Sequence, residues 1–277
     1  MFGKGLLVAF DAASVSVATL AKGPRRGRLL GFHRVPLQPG ALAPSPAGSN
    51  VVRREEVRGA LARTLEEVDP VGGPVTLVLP DGIARLAMIE PPSGAEPRDY
   101  VRFRLATSLP WPATEAIVDI LPVRRGRVVG AAVRRATVAQ YEQLAASVGL
   151  GVERVTLAPL LALGALVGRR GRRSPDAVHA LLGDVALCLA VIRDGDLAAL
   201  RCRRRDATAG EAPRLLAEAA RTARQAGDGD QDVRLVISGS GAGPLREALG
   251  PAVAGGLESP GEWPESREAA WLGGAMA

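Results

Sequence analysis

One pattern occurs twice in the sequence: an apolar strand that is interrupted by a short bend and then resumed. The first copy is LLVAFDAASVSVATL at residues 6–20, and the second is HALLGDVALCLAVIRDG at residues 179–195. A further strand, a helix and a short apolar strand are predicted after each copy. A fully apolar strand such as Val75–Leu79 is typical of a sheet that is covered on both faces. The sequence therefore predicts an α/β chain built from two copies of one unit.

The region between the two copies breaks this order. Residues 80–154 predict a strand, a helix, a turn in which Trp111 lies between two prolines, a hairpin, a second helix and a further strand. This order indicates a small α+β insertion into the first unit. The predicted division is a first subdomain at 1–79 and 155–176, an inserted subdomain at 80–154, and a reduced second subdomain at 177–277.

Arginine dominates the charge balance. Lysines and arginines number 35 against 29 acidic residues, which gives a net charge of +6, and the lysines are Lys4 and Lys22 alone. Arginine clusters lie at residues 124–127, 169–173 and 201–205. Proteins that bind single-stranded nucleic acid interleave such charges with aromatic residues, but aromatics are 3% of this chain. We therefore expect no nucleic-acid partner. The clusters are interpreted either as solvated loop ends or as a surface weakly attracted to anionic lipid.

Cysteine and histidine are rare. The chain has two of each, too few and too scattered for a zinc site, so no metal is expected. A two-residue hairpin turn is predicted at residues 194–195, and it would place Cys188 opposite Arg201, with Cys202 on the other face of the sheet. A disulfide is therefore not expected, and free thiols fit a cytoplasmic protein. No apolar run approaches the roughly 18 residues of a membrane span.

Seven segments together resemble the PilM/MshI family of type IV pilus assembly proteins, which belongs to the actin-like ATPase superfamily. In chain order they are VAFDAASVSVATL, TLVLPDGIARLAMIEPP, VRFRLATSLPWPATEAIVDILPV, VVGAAVRRATVAQYEQLAASVGLGVERVTLAPLLALGAL, HALLGDVALCLAVIRDGDLAALR, LVISGSGAGPLREALG and AAWLGGAMA. The resemblance covers nearly the whole chain. It implies an actin-like fold, a duplication of a ribonuclease H-like unit, with a small inserted subdomain.

In that fold the two bends hold the phosphates of ATP, and a glycine-rich turn lies against the adenosine. The resemblance assigns these nucleotide-binding roles to Asp11, Ser14, Gly183, Gly239 and Gly241. Asp11 has a second interpretation, a bend-forming residue whose carboxylate bonds the local backbone. The glycine-rich turn equally fits an ordinary connection between a strand and a helix.

Several positions depart from the family pattern. Ala13 replaces the glycine of the first bend, Ala18 replaces a lysine, and Leu181 replaces the aspartate of the second bend. Only residues 206–210 stand where the family has a subdomain that walls the adenine pocket. The Cβ atom of Ala13 would crowd a phosphate, and Leu181 offers magnesium no ligand. These departures predict a pseudo-ATPase with no catalytic residues. ATP and Mg²⁺, the cofactors that the resemblance implies, are not expected to bind.

The resemblance implies a scaffold at the cytoplasmic face of the inner membrane. Such a scaffold binds the N-terminal tail of a PilN-like membrane protein, in a groove between the first subdomain and the insertion, and contacts the pilus motor and platform. Trp111 is interpreted either as a contact for this partner or as a side chain packed under its turn. Two alternatives remain open: a GspL-like scaffold of type II secretion, and an active actin-fold phosphotransferase or ATPase.

Overall fold

The computed structural model describes residues 4–21, 28–68, 73–167, 176–208, 210–227 and 234–252. The strands are β1 (Lys4–Phe10), β2 (Ser14–Ala21), β3 (Arg28–Pro36), β4 (Val75–Leu79), β5 (Ala84–Ile89), β6 (Ala116–Pro122), β7 (Val128–Arg134), β8 (Val152–Leu157), β9 (Ala177–Leu182), β10 (Ala186–Arg193), β11 (Asp196–Arg204) and β12 (Leu235–Gly239). The helices are α1 (Arg54–Val68), α2 (Pro97–Ala106), α3 (Arg135–Ala146), α4 (Ala158–Val167), α5 (Glu211–Gln225) and α6 (Ala242–Leu249). The arginine cluster at 169–173 and the closing segment AAWLGGAMA lie outside the described residues.

The first sheet has the strand order β3-β2-β1-β4-β8. Strands β1 and β2 are antiparallel, whereas β4 runs parallel to both β1 and β8. Side chains of β1 alternate between the two faces: Val8 packs in the cluster that contains α1, and Leu7 packs against α4 on the opposite face. Helices on both faces explain why the central strands β1 and β4 are largely apolar.

The second sheet repeats this arrangement with the order β11-β10-β9-β12. Strand β9 pairs antiparallel with β10 and parallel with β12, as β1 pairs with β2 and β4. Helices α5 and α6 cover one face through Leu215, Ala219 and Leu245. The other face joins the main core through Cys188 and Ile192. The predicted duplicated α/β fold is confirmed.

Strands β5, β7 and β6 form a third sheet within residues 84–134. Helix α2 packs on one face through Val101 and Leu105, and the other face joins the main core through Val129 and Ala131. The insertion is thus a two-layer unit seated on the rest of the chain. Among the described residues, no helix is long and apolar enough to cross a bilayer.

The tip of the β6–β7 hairpin is fastened to the second subdomain. Arg127 forms an ion pair with Asp196 at 3.2 Å, and its guanidinium also donates to the Leu197 carbonyl at 2.8 Å. The side chains of Arg127 and Asp196 are only 18% and 10% exposed. Interpreting the 124–127 cluster as a solvated or lipid-facing loop end was therefore wrong for Arg127, while Arg124 and Arg125 are exposed.

The β10–β11 hairpin corrects the prediction for the cysteines. Its turn has the predicted two residues, and both take positive φ angles, +51° at Asp194 and +72° at Gly195. A bulge follows: Ile192 pairs with Leu197, but Val191 pairs with Ala199, so the register shifts by one residue. Beyond the bulge the partners of β10 are displaced along β11. Cys188 consequently faces Cys202, not Arg201.

Candidate functional site

The carboxyl ends of four strands border a cleft between the two duplicated units. Strands β1 and β4 end there from the first sheet, and β9 and β12 from the second. This is the edge at which ligands bind in α/β folds. The cleft is lined by Asp11, Asp81, Gly183, Asp184 and Ser240, among others. Its cavity volume is about 70 Å³, whereas pockets for small-molecule ligands measure roughly 300–1,000 Å³.

The first bend is held by its own aspartate. Asp11 Oδ1 accepts a hydrogen bond from the Ala13 N–H at 2.8 Å, and Oδ2 accepts one from the Ser14 hydroxyl at 2.9 Å. The Asp11 N–H donates to the Ser14 carbonyl at 3.1 Å, which closes the turn. Both carboxylate oxygens of Asp11 therefore stabilise the bend itself, and Ser14 is buried behind it.

The second bend packs against a carboxyl group from the first unit. A Cβ atom at Gly183 would overlap the carboxylate of Asp81, so a larger residue there would displace that carboxylate. Asp81 lies in the turn directly after β4, and the sequence analysis missed it. The available signal was the Pro80-Asp81-Gly82 turn at the carboxyl end of a parallel strand, the usual position of functional side chains.

Burial perturbs the Asp81 carboxyl. It raises the pKa of Asp81 to about 7, an effect increased by the nearby charge of Asp184 and opposed by backbone hydrogen bonds and by Arg205. Asp81 and Asp184 come from different units, so two carboxyl groups approach one another across the cleft. At neutral pH a substantial fraction of Asp81 is consequently protonated.

The glycine-rich turn is tied to the second bend. Gly239 has a φ of +107°, and the Leu182 carbonyl fills the space of its missing Cβ. The Ser240 N–H donates to that carbonyl at 2.8 Å, and the Ser240 hydroxyl donates to Asp184 at 2.5 Å. The close approach of two backbone segments therefore explains the glycine at 239 without a ligand.

A buried arginine covers this turn. Arg205 donates to the carbonyl oxygens of Gly183 at 2.9 Å and of Ser240 at 2.6 Å, and pairs with both oxygens of Glu211 at 2.6 and 3.1 Å. Its side chain is 7% exposed. A Cβ atom at Gly241 would lie 3.0 Å from the guanidinium, which therefore rests on the turn assigned to adenosine. The interpretation of residues 201–205 as solvated was wrong for Arg205.

A larger groove lies between the first subdomain, the insertion and the second subdomain. Its volume is about 410 Å³. The walls are residues 44–46, β5, Trp111 and the end of β11. Both β5 and β11 are edge strands of their sheets. Trp111 is 7% exposed, and within the described part of the chain its indole N–H has no acceptor.

The structure brings some of the predicted site residues together and separates others. Asp11, Gly183 and Gly239 line the cleft. Ser14 is bonded behind Asp11, and Gly241 lies under Arg205. Trp111 belongs to the groove, a different site. The sequence analysis missed Asp81 and Arg205, which shape the cleft through contacts that are distant in sequence.

No family model matches the chain, and no curated protein matches its sequence. Its structure is similar to a chain of the PilM-PilN type IV pilus biogenesis complex, with a TM-score of 0.71 and 19% identity over 98% of this chain and 97% of that one. The cytoplasmic domain of EpsL, an inner membrane component of the type II secretion system of Vibrio cholerae, gives a TM-score of 0.57 and 14% identity over 98% and 94%.

A third solved structure is described by its fold. A Bacteroides thetaiotaomicron protein with an actin-like ATPase fold gives a TM-score of 0.61 and 11% identity, covering 98% of this chain and 95% of the other. These similarities extend over nearly the entire chain. The chain therefore has the actin-like ATPase fold.

Proposed function

We propose that this chain is a cytoplasmic scaffold of the type IV pilus assembly platform, which binds the N-terminal tail of a PilN-like membrane protein. The observation that carries the proposal is the similarity to the PilM-PilN complex over 98% of this chain and 97% of the other. The ordered sequence segments described above support the same family independently. The chain would reach the inner membrane through its partner, and the exposed Arg124 and Arg125 would add weak attraction to anionic lipid.

The groove of about 410 Å³ suits an extended segment. The edge strands β5 and β11 flank it, and edge strands carry main-chain donors and acceptors that an added strand can pair with. Ala84 and Leu86 of β5 add apolar wall, and Trp111 closes one side. A tail bound here would contact all three subdomains.

The test uses the purified full chain and a fluorescent peptide with the first residues of the neighbouring membrane protein. Ala84→Trp places an indole in the groove and should weaken peptide binding at least tenfold, whereas Ala84→Ser keeps the groove open and should bind normally. Thermal unfolding of both variants checks that the fold is intact. Equal binding by a folded Ala84→Trp variant would show that the tail binds outside this groove. If the wild type does not bind the peptide, the proposed function is wrong.

A scaffold of type II secretion is the second candidate. The EpsL cytoplasmic domain matches 98% of this chain, with a lower TM-score of 0.57. The same binding assay separates the two candidates when the peptide is taken either from a pilus membrane protein or from a type II secretion membrane protein. Selective binding of the secretion peptide would replace the first candidate by the second.

We also propose that the cleft is a vestigial nucleotide site and that the chain is a pseudo-ATPase. Three observations support this: the cleft volume of about 70 Å³, the Arg205–Glu211 pair on the glycine-rich turn, and the Asp11 carboxylate bonded to its own bend. The residues present do not fit a nucleotide with magnesium, because the Arg205 guanidinium lies against the turn that the resemblance assigns to the adenosine. An active phosphotransferase is correspondingly disfavoured.

The nucleotide proposal has its own test. Millimolar ATP and Mg²⁺ should leave the unfolding temperature unchanged, because a bound ligand raises stability once its concentration exceeds its Kd. No phosphate release is expected. A clear ATP-dependent rise that Asp11→Ala abolishes would show a working site and would overturn the pseudo-ATPase proposal.

A further inference from the structure

The cysteines of the chain are neighbours in space. Cys188 and Cys202, the two cysteines of the sequence, are direct cross-strand partners in β10 and β11. Residues directly opposite one another in an antiparallel ladder point to the same face, with Cβ atoms about 4.5–5.5 Å apart. Both side chains belong to the face that packs on the main core. The bulge between Val191 and Ile192 creates this pairing, because without it Cys188 would face Arg201.

The two thiols differ in access. Cys188 is 1% exposed, whereas Cys202 is half-buried, and both line the groove. The two thiols are within hydrogen-bonding reach of one another. This hydrogen bond and burial raise the pKa of Cys188 well above its ordinary value. Cys202 is therefore the sulfur that a small molecule in the groove reaches first, with Cys188 directly behind it.

We propose that Cys188 and Cys202 form an oxidation site that takes small peroxides from the groove and closes to a reversible disulfide. The Cys202 thiolate attacks one oxygen of hydrogen peroxide, which breaks the O–O bond, releases one water after proton transfer and leaves a sulfenic acid. The sulfur of Cys188 then attacks the Cys202 sulfur, forms the S–S bond and expels the hydroxyl as a second water. The two thiols lose two electrons, which the peroxide gains.

The backbone is already suited to this bond. Disulfides span Cα separations of about 4.4–6.8 Å, and opposed residues of an antiparallel pair are about 4.5–5.5 Å apart. Closure therefore needs side-chain rotation without a change of strand register. Peroxide reaches Cys202 through the open groove, and the tests use the chain without a bound tail, so their outcome is separate from the proposed function.

The first experiment treats the purified, reduced full chain with hydrogen peroxide. We expect titratable thiols to fall from two to none and the intact mass to fall by about 2 Da, with both changes reversed by dithiothreitol. Trypsin cuts at Arg193 and Arg201 between the cysteines, so a disulfide should hold the two peptides together until reduction. Gain of oxygen without a peptide cross-link, or a disulfide-linked dimer, would overturn the proposal.

Two matched variants assign the roles. In Cys188→Ser the exposed Cys202 should add oxygen, with a mass gain of about 16 Da or more, because no second thiol resolves the sulfenic acid. In Cys202→Ser the buried Cys188 should react at least tenfold more slowly than the wild type. Equal oxidation rates in Cys202→Ser and the wild type would contradict the assigned order of attack.

Discussion

The two strand–bend–strand units share their topology but differ in what holds their bends. The first bend is stabilised from within, because Asp11 accepts hydrogen bonds from residues two and three positions later. The second bend is closed by the corresponding backbone bond, from the Gly183 N–H to the Ala186 carbonyl at 2.9 Å. Its further contacts come from Asp81, Arg205 and Ser240, which lie in other elements.

This difference indicates how a duplicated unit diverges. The strand pairing depends on the backbone and is the same in both copies, whereas different side chains stabilise the two bends. A self-contained bend tolerates changes elsewhere in the chain. When a bend depends on distant residues, a substitution in the bend also disturbs the contacts of each of those residues. The four predictions below test this contrast, from the largest expected effect to the smallest.

Arg205→Ala should have the largest effect on stability. It removes the guanidinium that pairs with the Glu211 carboxylate, whose side chain is 11% exposed, and that donates to the Gly183 and Ser240 carbonyls. Breaking a buried ion pair from one side costs about 3–5 kcal/mol. Urea unfolding of the variant and the wild type measures this loss.

The matched control for that variant is Arg203→Ala, on the same strand. Arg203 pairs with Glu218, but these side chains are 28% and 19% exposed. Partly solvated pairs contribute about 0–1 kcal/mol. If both arginine variants lose the same stability, the second bend does not depend on Arg205 in particular.

Asp81→Asn should change how stability depends on pH. The folded-state pKa of Asp81 is raised to about 7 from 3.8, so its protonated form stabilises the fold below about pH 4, and this contribution is lost as pH rises through 7. Asparagine does not ionise, so the stability of the variant should gain on that of the wild type as pH rises from about 4 to about 7, by up to about 4 kcal/mol in all. Parallel pH profiles of unfolding would contradict the raised pKa of the buried Asp81 carboxyl.

Gly183→Ala tests the packing at the second bend. The new methyl group would overlap the Asp81 carboxylate, and overpacking of this kind costs about 1–3 kcal/mol. The double variant Gly183→Ala/Asp81→Ala should recover most of the loss. Ala13→Gly, at an exposed position of the first bend, should cost under about 1 kcal/mol. Additive losses in the double variant would mean that the two residues do not interact.

Asp11→Ala should have the smallest effect of the four. It removes the acceptor of the Ala13 N–H and of the Ser14 hydroxyl, which are local contacts. The expected cost is about 1 kcal/mol. Chemical unfolding measures the free energy lost. If the loss is as large as that of Arg205→Ala, the two bends do not differ in the way described.

Sequence periodicity was sufficient for the duplicated sheets, because apolar strands and amphipathic helices leave a strong local pattern. The helix predicted after the first copy is α1, whose buried positions repeat at helical spacing. The bulge at Val191/Ile192 leaves no such pattern. One inserted residue shifts the pairing of every residue beyond it, so the side chains of the bulged strand point to the opposite face. For this reason the predicted partner of Cys188 was wrong.

The candidate site was less predictable for a related reason. Arg205 lies in an arginine-rich run that looks solvated, and only its depth and its partner Glu211 distinguish it from Arg204. Asp81 is one of many aspartates in turns, and its significance depends on Gly183, about a hundred residues later. Contacts of this kind arise from packing between units, which a local pattern does not encode.

The ion pair between Arg127 and Asp196 has a mechanical consequence. The insertion is continuous with the first unit's core, its hairpin tip is fastened to the second unit, and the two units contact one another where α4 packs against β10 and β11. Because each of the three parts contacts the other two, no two of them can rotate about their mutual contact while their contacts with the third stay intact. A pulling force applied at the insertion is therefore transmitted to both duplicated units.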